Sequence, residues 1–317
     1  MHLERAVIEI NGGCNYTCAM CPQSNPGRSR NFLRKMPLTQ FDELVEECVA
    51  HGASVINLDG SGEATLNRDL PKYIEVVKKH GAKAYIFSNG KNMRGNLMKE
   101  SVDAGLDFFR FSIIGYDSDT YRRWMGGLSF QDVLKNLYDM EDYISKSRSN
   151  CTLATYHLIL DNSHTSREKE LYLSITAGHN IKTEIWMMHN WSGVYKPEYD
   201  RQGTKRTCGR PFSPEIVIRA GGLNGSTGAV HPCCQVLGRD DEAVLGHTSL
   251  NSIEDIWFGE DYNRLRKAHE LGEFPDFCTN CDFLIDDAEV LIYSNHGTHA
   301  NSIHGTSIDL KKHRGIL

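Results

Sequence analysis

No apolar run in this 317-residue chain approaches the 18 or so residues that a membrane span needs, and the N-terminus lacks the apolar core of a secretory signal. Neither a membrane partner nor export is expected, and the chain reads as cytoplasmic. A basic surplus is lacking as well. The 35 Lys and Arg against 41 Asp and Glu leave a formal net charge of -6, without the basic stripe that a nucleic-acid backbone demands. Nucleic acid is therefore set aside as a partner. The missing export signal also changes the meaning of the ten cysteines, because the cytosol keeps thiols reduced and a disulfide framework is not expected there.

The cysteines fall into groups. Cys48 shares a helical stripe with Phe41, Leu44, Val45 and Val49 and reads as a small buried hydrophobe; Cys151 opens a strand and reads the same way. Cys14, Cys18 and Cys21 instead stand within eight residues, directly after the apolar run Ala6 to Ile10. Gaps of three and then two residues let one loop turn three sulfurs toward one centre, as ligation of an iron–sulfur cluster requires. Three ligands would leave one iron of a four-iron cluster open. A structural zinc site needs a fourth ligand close by, and no histidine lies between Ala6 and Phe41.

Along the chain, short β-type runs alternate with amphipathic helices. Thr39 predicts an N-cap for a helix from Gln40 to Ala50, stopped by Gly52, and Ser54 to Leu58 reads as a strand. Pro71 suits the first turn of a second helix that stops at Gly81, and Lys83 to Phe87 is the next strand. Helices from Asn92 to Ala104, Phe130 to Ser147 and Ser166 to Ala177 are followed by strands Asp107 to Ile113, Thr152 to Leu160 and Lys182 to Met188. Six strands alternating with five helices predict an α/β fold with a parallel sheet and helical crossovers outside it. Ligands of such sheets sit at the carboxyl ends of the strands, the edge at which the cysteine loop leaves the first strand.

Beyond Trp191 the alternation stops. From Ser192 to Leu284 the chain is rich in Gly, Pro, Cys and short strands, with one helical stretch from Ser252 to Leu271, and reads as a smaller second module. Residues 285–317 carry Gly, Ser, Asn and four histidines, His296, His299, His304 and His313, whose spacing fits no metal site; the composition suits a solvated tail or an active-site cover. The expected organisation is 1–191, 192–284 and 285–317.

Gly60-Ser61-Gly62-Glu63-Ala64-Thr65 follows the second strand and Ser88-Asn89-Gly90 the third. With the Cys-x3-Cys-x2-Cys loop, the stretch from Ala6 to Trp191 resembles the radical S-adenosylmethionine superfamily. That resemblance implies a partial (βα)6 TIM-like barrel in which Cys14, Cys18 and Cys21 hold a [4Fe-4S] cluster. S-adenosyl-L-methionine would chelate the open iron and be cleaved to a 5′-deoxyadenosyl radical that takes a hydrogen atom from substrate. Glu63 matches the carboxylate that receives the methionyl ammonium, and Gly62 the position of close backbone approach. Ser88 and Asn89 match positions near the ribose or methionyl end, and Ser112 is a further carboxylate partner. Met20 stands where an aromatic beside the adenine is usual, Ala64-Thr65 replaces the usual Pro, and Ile114 replaces an acidic residue.

The second cysteine group is similar to the shortened auxiliary-cluster module called twitch, a relative of the SPASM domain. That likeness implies a second [4Fe-4S] cluster held by Cys208, Cys233, Cys278 and Cys281, with Gly228 counting forward by Gly-x4-Cys to Cys233 and Cys234 as its unligated neighbour. No further cysteine run follows Cys281, so two clusters are expected. A structural zinc held by four thiolates is the alternative.

Full thiolate ligation suits the auxiliary cluster to electron transfer. The module layout resembles the aminocyclitol dehydrogenases, which oxidise a secondary alcohol, and so implies a small sugar- or cyclitol-like substrate. A peptide maturase that forms a crosslink or an epimer is the second reading. The first strand begins almost at once, leaving no room for an N-terminal precursor-peptide domain, which favours the small molecule. A non-enzymatic metal-binding module is the third. An external one-electron reductant such as flavodoxin or ferredoxin is the implied partner. Candidate bases and orienters near the strand ends are Tyr156, His157, Glu184, His189 and Trp191, with Glu184 and His189 preferred as the catalytic pair; strand alternation allows only one of Tyr156 and His157 to face inward.

Overall fold

The computed structural model describes residues 1–25, 29–197, 207–285 and 291–296. Strands β1 (Arg5–Ile8), β2 (Val55–Asn57), β3 (Lys83–Ser88), β4 (Phe108–Ser112), β5 (Thr152–Ile159) and β6 (Lys182–Met187) pair in parallel in that order. The crossovers run through α1 (Leu38–Ala50), α2 (Leu70–Lys79), α3 (Gly95–Asp103), then α4 (Ser118–Met125) with α5 (Phe130–Ser147), and α6 (Thr165–Thr176). The expected parallel α/β unit is present.

Two local expectations are corrected and one helix is added. Thr39 is not the cap of α1 but lies inside it; the helix starts one residue earlier, behind Pro37, whose ring presets the extended entry. Helix α4 escaped the sequence reading although its signals are local: Tyr121, Trp124 and Met125 form a buried stripe at helical spacing, Asp117 and Thr120 form a reciprocal capping box, and Gly126 closes the helix at φ 58°. The stretch Ser252 to Leu271 is two helices, α7 (Ile253–Trp257) and α8 (Glu260–Leu271), broken at Phe258-Gly259.

Strand alternation sorts the inner face from the core. Phe109 and Phe111 pack fully buried under the helices, while Arg110 and Ser112 between and after them face the barrel interior. Tyr85, Phe108 and Ala154, each two residues upstream of an interior-facing side chain, form a small cluster of their own.

The second half of the chain adds to the same sheet. β7 (Glu215–Ile218) lies parallel to β1 on its free side, with Arg5 opposite Glu215 and Ile8 opposite Ile218. β8 (Ala229–His231) and β9 (Gly246–His247) continue antiparallel. At the far edge β10 (Leu291–Ser294) pairs antiparallel with β6. Part of the segment given no structure from sequence is therefore a sheet edge; His299, His304 and His313 lie outside the described residues. The described residues contain no helix long and apolar enough to cross a membrane.

Candidate active site

A cavity of about 360 Å³ opens at the carboxyl ends of the parallel strands. Cys14, Cys18 and Cys21 line it together with Met20, Gly62, Glu63, Ser88, Asn89 and Ser112, so the fold brings the whole predicted first site into one space. Burial, and the charge of Cys21 and Cys14 beside it, push the Cys18 thiol well up, so metal ligation there must displace a proton.

The cysteine loop and the glycine-rich turn are fastened to one another. Glu63 N donates to Gly13 O at 2.7 Å, Asn11 Nδ2 to Glu63 O at 2.9 Å, and Gln23 Nε2 to both Gly12 O and Ser61 O at 2.8 and 2.9 Å. Gly62 is required at this seam, because a Cβ there would collide with the backbone of Asn11, Gly12 and Gly13.

Glu63 is buried and its carboxylate is met only by donors. Oε1 accepts from Thr65 N (3.0 Å), Thr65 Oγ1 (2.6 Å) and Ser88 Oγ (2.7 Å), and Oε2 from Asn89 N (2.9 Å). Such a set fixes the carboxylate's orientation for a cation arriving from the cavity. Ser88, expected against the cofactor, donates to Glu63 instead; Thr65, of the Ala64-Thr65 pair that replaces the usual Pro, contributes a hydroxyl to the same oxygen. Asn89 ties this carboxylate to the cysteine loop through Asn15 Oδ1 at 2.9 Å.

Across the cavity stand β4, β5 and β6. Tyr156 is the inward residue of its pair; His157 is wholly buried on the helix side, bonded to Glu168 at 2.7 Å and stacked on Tyr172. His189 lines the cavity edge-on to Trp191, with ring centroids 4.2 Å apart. Glu184, the other preferred catalytic residue, does not line the cavity. It is fully buried, with Arg110 Nη1 at 2.9 Å, Trp186 Nε1 at 3.2 Å and His296 Nε2 at 2.8 Å from its carboxylate. Its strand level is that of Tyr156, which does line the cavity; what separates Glu184 from the cavity is its own set of partners, Arg110, Trp186 and His296, which enclose the carboxylate.

Arg110 and Asp59 are among the cavity residues that escaped the sequence reading. Arg110 projects between the rings of Phe87 and Tyr156, 3.6 and 4.3 Å from their centroids. Asp59 is half-buried at the end of β2, where Oδ1 accepts from Asn57 Nδ2 (3.2 Å) and Phe87 N (3.1 Å). Burial pushes its carboxyl up to about 6, against the opposing pull of those bonds and of the Arg110 charge. The signal was present in sequence only as a polar residue directly before the glycine-rich turn, where turn chemistry accounts for it equally well.

The remaining wall comes from the second half of the chain. Arg219 on the strand edge beside β1 reaches Glu9 at 3.4 Å and Asp240 at 3.7 Å, all three buried. Glu9 also accepts from Ser61 N and from Ser61 Oγ at 2.6 Å, which couples the glycine-rich turn to the auxiliary segment. Burial works to raise the Glu9 carboxyl, but the Arg219 charge and the Ser61 bonds hold it below the usual range. Behind this wall Cys208, Cys233, Cys278 and Cys281 line a second, enclosed pocket, while Cys234 turns to the main cavity. A mononuclear zinc site needs its ligands within about 2.3 Å of one point. Among the described residues no group of three or more His, Cys, Asp or Glu is arranged to hold a single metal ion; four thiols lining one pocket are a donor set that an iron–sulfur cluster takes.

Comparison with known proteins bears on the whole arrangement. The family model for the Radical SAM superfamily matches residues 8–164, and that for the SPASM iron-sulfur cluster-binding domain matches residues 225–282. The chain belongs to the radical SAM superfamily. Its cofactors are accordingly S-adenosylmethionine and a [4Fe-4S] cluster, with an auxiliary cluster in the SPASM segment. A probable GTP 3′,8-cyclase of Methanococcus maripaludis is 25% identical over 41% of this chain, and the alignment spans only 43% of that relative. The fold is similar to that of BtrN in complex with AdoMet and 2-DOIA, with a TM-score of 0.58, 18% identity and coverage of 89% of this chain and 93% of the other. It is also similar to SuiB of Streptococcus suis bound to the precursor peptide SuiA, with a TM-score of 0.66, 14% identity and coverage of 90% and 71%. At these identities the two structures establish the fold alone.

Proposed function

We propose that this radical SAM enzyme oxidises a secondary alcohol on a small sugar- or cyclitol-like substrate. The observation that carries the reading is a shared wall: Arg210, Gln235 and Phe283 line both the main cavity and the four-thiol pocket. When bound, the cofactors supply a 5′-deoxyadenosyl radical that takes a hydrogen atom from carbon and, in the auxiliary cluster, an acceptor for one electron. Cys14, Cys18 and Cys21 would hold the first cluster and Glu63 the methionyl ammonium; Cys208, Cys233, Cys278 and Cys281 would hold the second. Four protein thiolates leave no iron open to substrate, which favours electron transfer over ligation.

A secondary alcohol becomes a ketone by losing a hydrogen atom from carbon, a proton from the hydroxyl and one electron, so a proton acceptor is needed near the cavity floor. Asp59 fits that role: its Oδ2 is not among the atoms engaged by Asn57 and Phe87, and its proton affinity is poised near neutrality. Arg110, clamped between two rings and held by Glu184, orients the substrate hydroxyl beside Asp59, which makes Glu184 a positioning residue. His189 contacts substrate from the opposite rim. A flavodoxin- or ferredoxin-type donor supplies the external electron.

The fold likeness to peptide-bound SuiB supports a competing reading, modification of a peptide. Anaerobic incubation of the reduced, cluster-loaded protein with S-adenosylmethionine in heavy water, against a pool of cyclitols and a pool of peptides, separates the two. Alcohol oxidation gives a carbonyl in step with 5′-deoxyadenosine release. Deuterium at a peptide carbon, or a crosslink, with no carbonyl from any polyol sinks the proposal.

A further inference from the structure

The wall between the two cavities holds a charge that neither cluster site accounts for. Arg210 follows Cys208 by two residues, at the start of a tight turn over Arg210–Phe212. Its backbone N–H donates to Cys208 Sγ at 3.4 Å, and its side chain bends back so that Nη1 donates to Cys234 Sγ at 3.7 Å. The guanidinium lies 5.3 Å from the centroid of the Phe283 ring, and Glu215 Oε1 is 4.0 Å away on the main-cavity side. Only 14% of the side chain is exposed. Among the described residues lining the four-thiol pocket, Arg210 carries the only permanent charge.

From this placement we infer that Arg210 sets the reduction potential of the auxiliary cluster, holding it high enough for the cluster to accept an electron from the main cavity. The inference rests on the reading that Cys208, Cys233, Cys278 and Cys281 hold that cluster. Potentials of iron–sulfur clusters respond to net charge and to hydrogen bonds on the sulfurs. Four thiolates make the site anionic, and reduction adds one further negative charge. A fixed cation at the pocket wall favours the more negative, reduced state, and burial strengthens the effect because little water screens it. The backbone N–H on Cys208 Sγ acts in the same sense. Glu215 offsets part of the guanidinium charge but lines the main cavity and not the thiol pocket. Lysine at this position keeps the charge and loses the fork; glutamine keeps a donor and loses the charge.

The test uses the full chain carrying Cys14→Ala, Cys18→Ala and Cys21→Ala, so that the auxiliary cluster alone gives a paramagnetic signal, titrated electrochemically. Arg210→Gln should lower the equilibrium constant for one-electron reduction at least tenfold, a fall of about 59 mV, and Arg210→Lys should stay within about threefold of the parent. An unchanged potential in Arg210→Gln overturns the inference, as does an equal fall in both variants, which would make geometry and not charge the cause. Loss of auxiliary iron from both variants also overturns it, making Arg210 a structural prop. The potential is read without substrate, so failure of alcohol oxidation leaves the result standing. Absence of auxiliary iron from the Arg210 parent sinks the cluster assignment and this inference together.

Discussion

Asp59→Asn offers the sharpest test of the cavity's electrostatics. The substitution keeps an oxygen able to accept from Asn57 and Phe87, and it removes only the charge. The native carboxyl rises from an ordinary 3.8 to about 6 because burial disfavours the anion. Below the lower value both folded and unfolded chains are protonated and the variant gains nothing. As pH climbs through about 6 the folded protein must ionise a half-buried acid that the unfolded chain ionises freely, so native stability falls relative to the variant. At 1.36 kcal/mol for each tenfold in proton affinity the full difference is about 3 kcal/mol, and about 2 kcal/mol with allowance for the part facing the cavity. Roughly half of it develops between pH 5 and 8. Urea unfolding of the wild-type and variant full chains at both pH values, with equal cofactor loading, measures this directly. A stability difference that is the same at pH 5 and pH 8, or a wild type that is the more stable at pH 8, refutes the argument. The same variant should release 5′-deoxyadenosine while failing to form carbonyl product.

Other outcomes follow from the same geometry. Glu63→Gln replaces an anion met by four donors with an amide, and S-adenosylmethionine should bind about 10- to 150-fold more weakly, the equivalent of one lost charge-assisted bond; equilibrium dialysis of cluster-loaded protein giving a change under threefold would contradict the assignment. Cys233→Ala should lower iron by about four atoms per chain while Cys234→Ala keeps it, because only the former faces the enclosed pocket; the opposite pattern in iron analysis would reverse the ligand choice. Glu9→Gln removes the nearer of the two buried carboxylates around Arg219 and leaves Asp240, so it should cost about 1.5 to 3 kcal/mol in denaturant unfolding, whereas a loss under about 0.5 kcal/mol would mean the pair is dispensable.

How much of this was legible in the sequence depended on the range of the interaction. Local periodicity located the six parallel strands to within one or two residues, and the spacing of Cys14, Cys18 and Cys21 announced a metal loop without reference to anything distant. The count from Gly228 reached Cys233, the neighbour that lines the enclosed pocket. Helix α4 was missed although its signals are local, the stripe of Tyr121, Trp124 and Met125 and the caps Asp117, Thr120 and Gly126, because eight residues give a periodicity argument only two turns to work with. Glu184 looked well placed because its position near a strand end was legible, whereas its enclosure by Arg110, Trp186 and His296 depends on side chains from three separate strands or segments. Asp59 and Arg110 were missed for the complementary reason: which polar strand residues face one another across a barrel is decided by pairing partners that no local pattern encodes. The pairing of β7 with β1 and of β10 with β6 brings together segments about 210 and 110 residues apart, beyond the reach of any periodicity argument.

The place of β1 between β2 and β7 has a consequence for modularity. The strand that delivers the three-cysteine loop is sheathed on one side by the radical SAM segment and on the other by the segment leading into the auxiliary cysteines. The residue directly after it is Glu9, whose counter-charge, Arg219, directly follows the far neighbour β7. Stripping away the later segment would lay bare a hydrogen-bonding edge and leave a buried anion without its cation, so the radical SAM segment and the auxiliary-cluster segment are not separable as cassettes. They share a single seam.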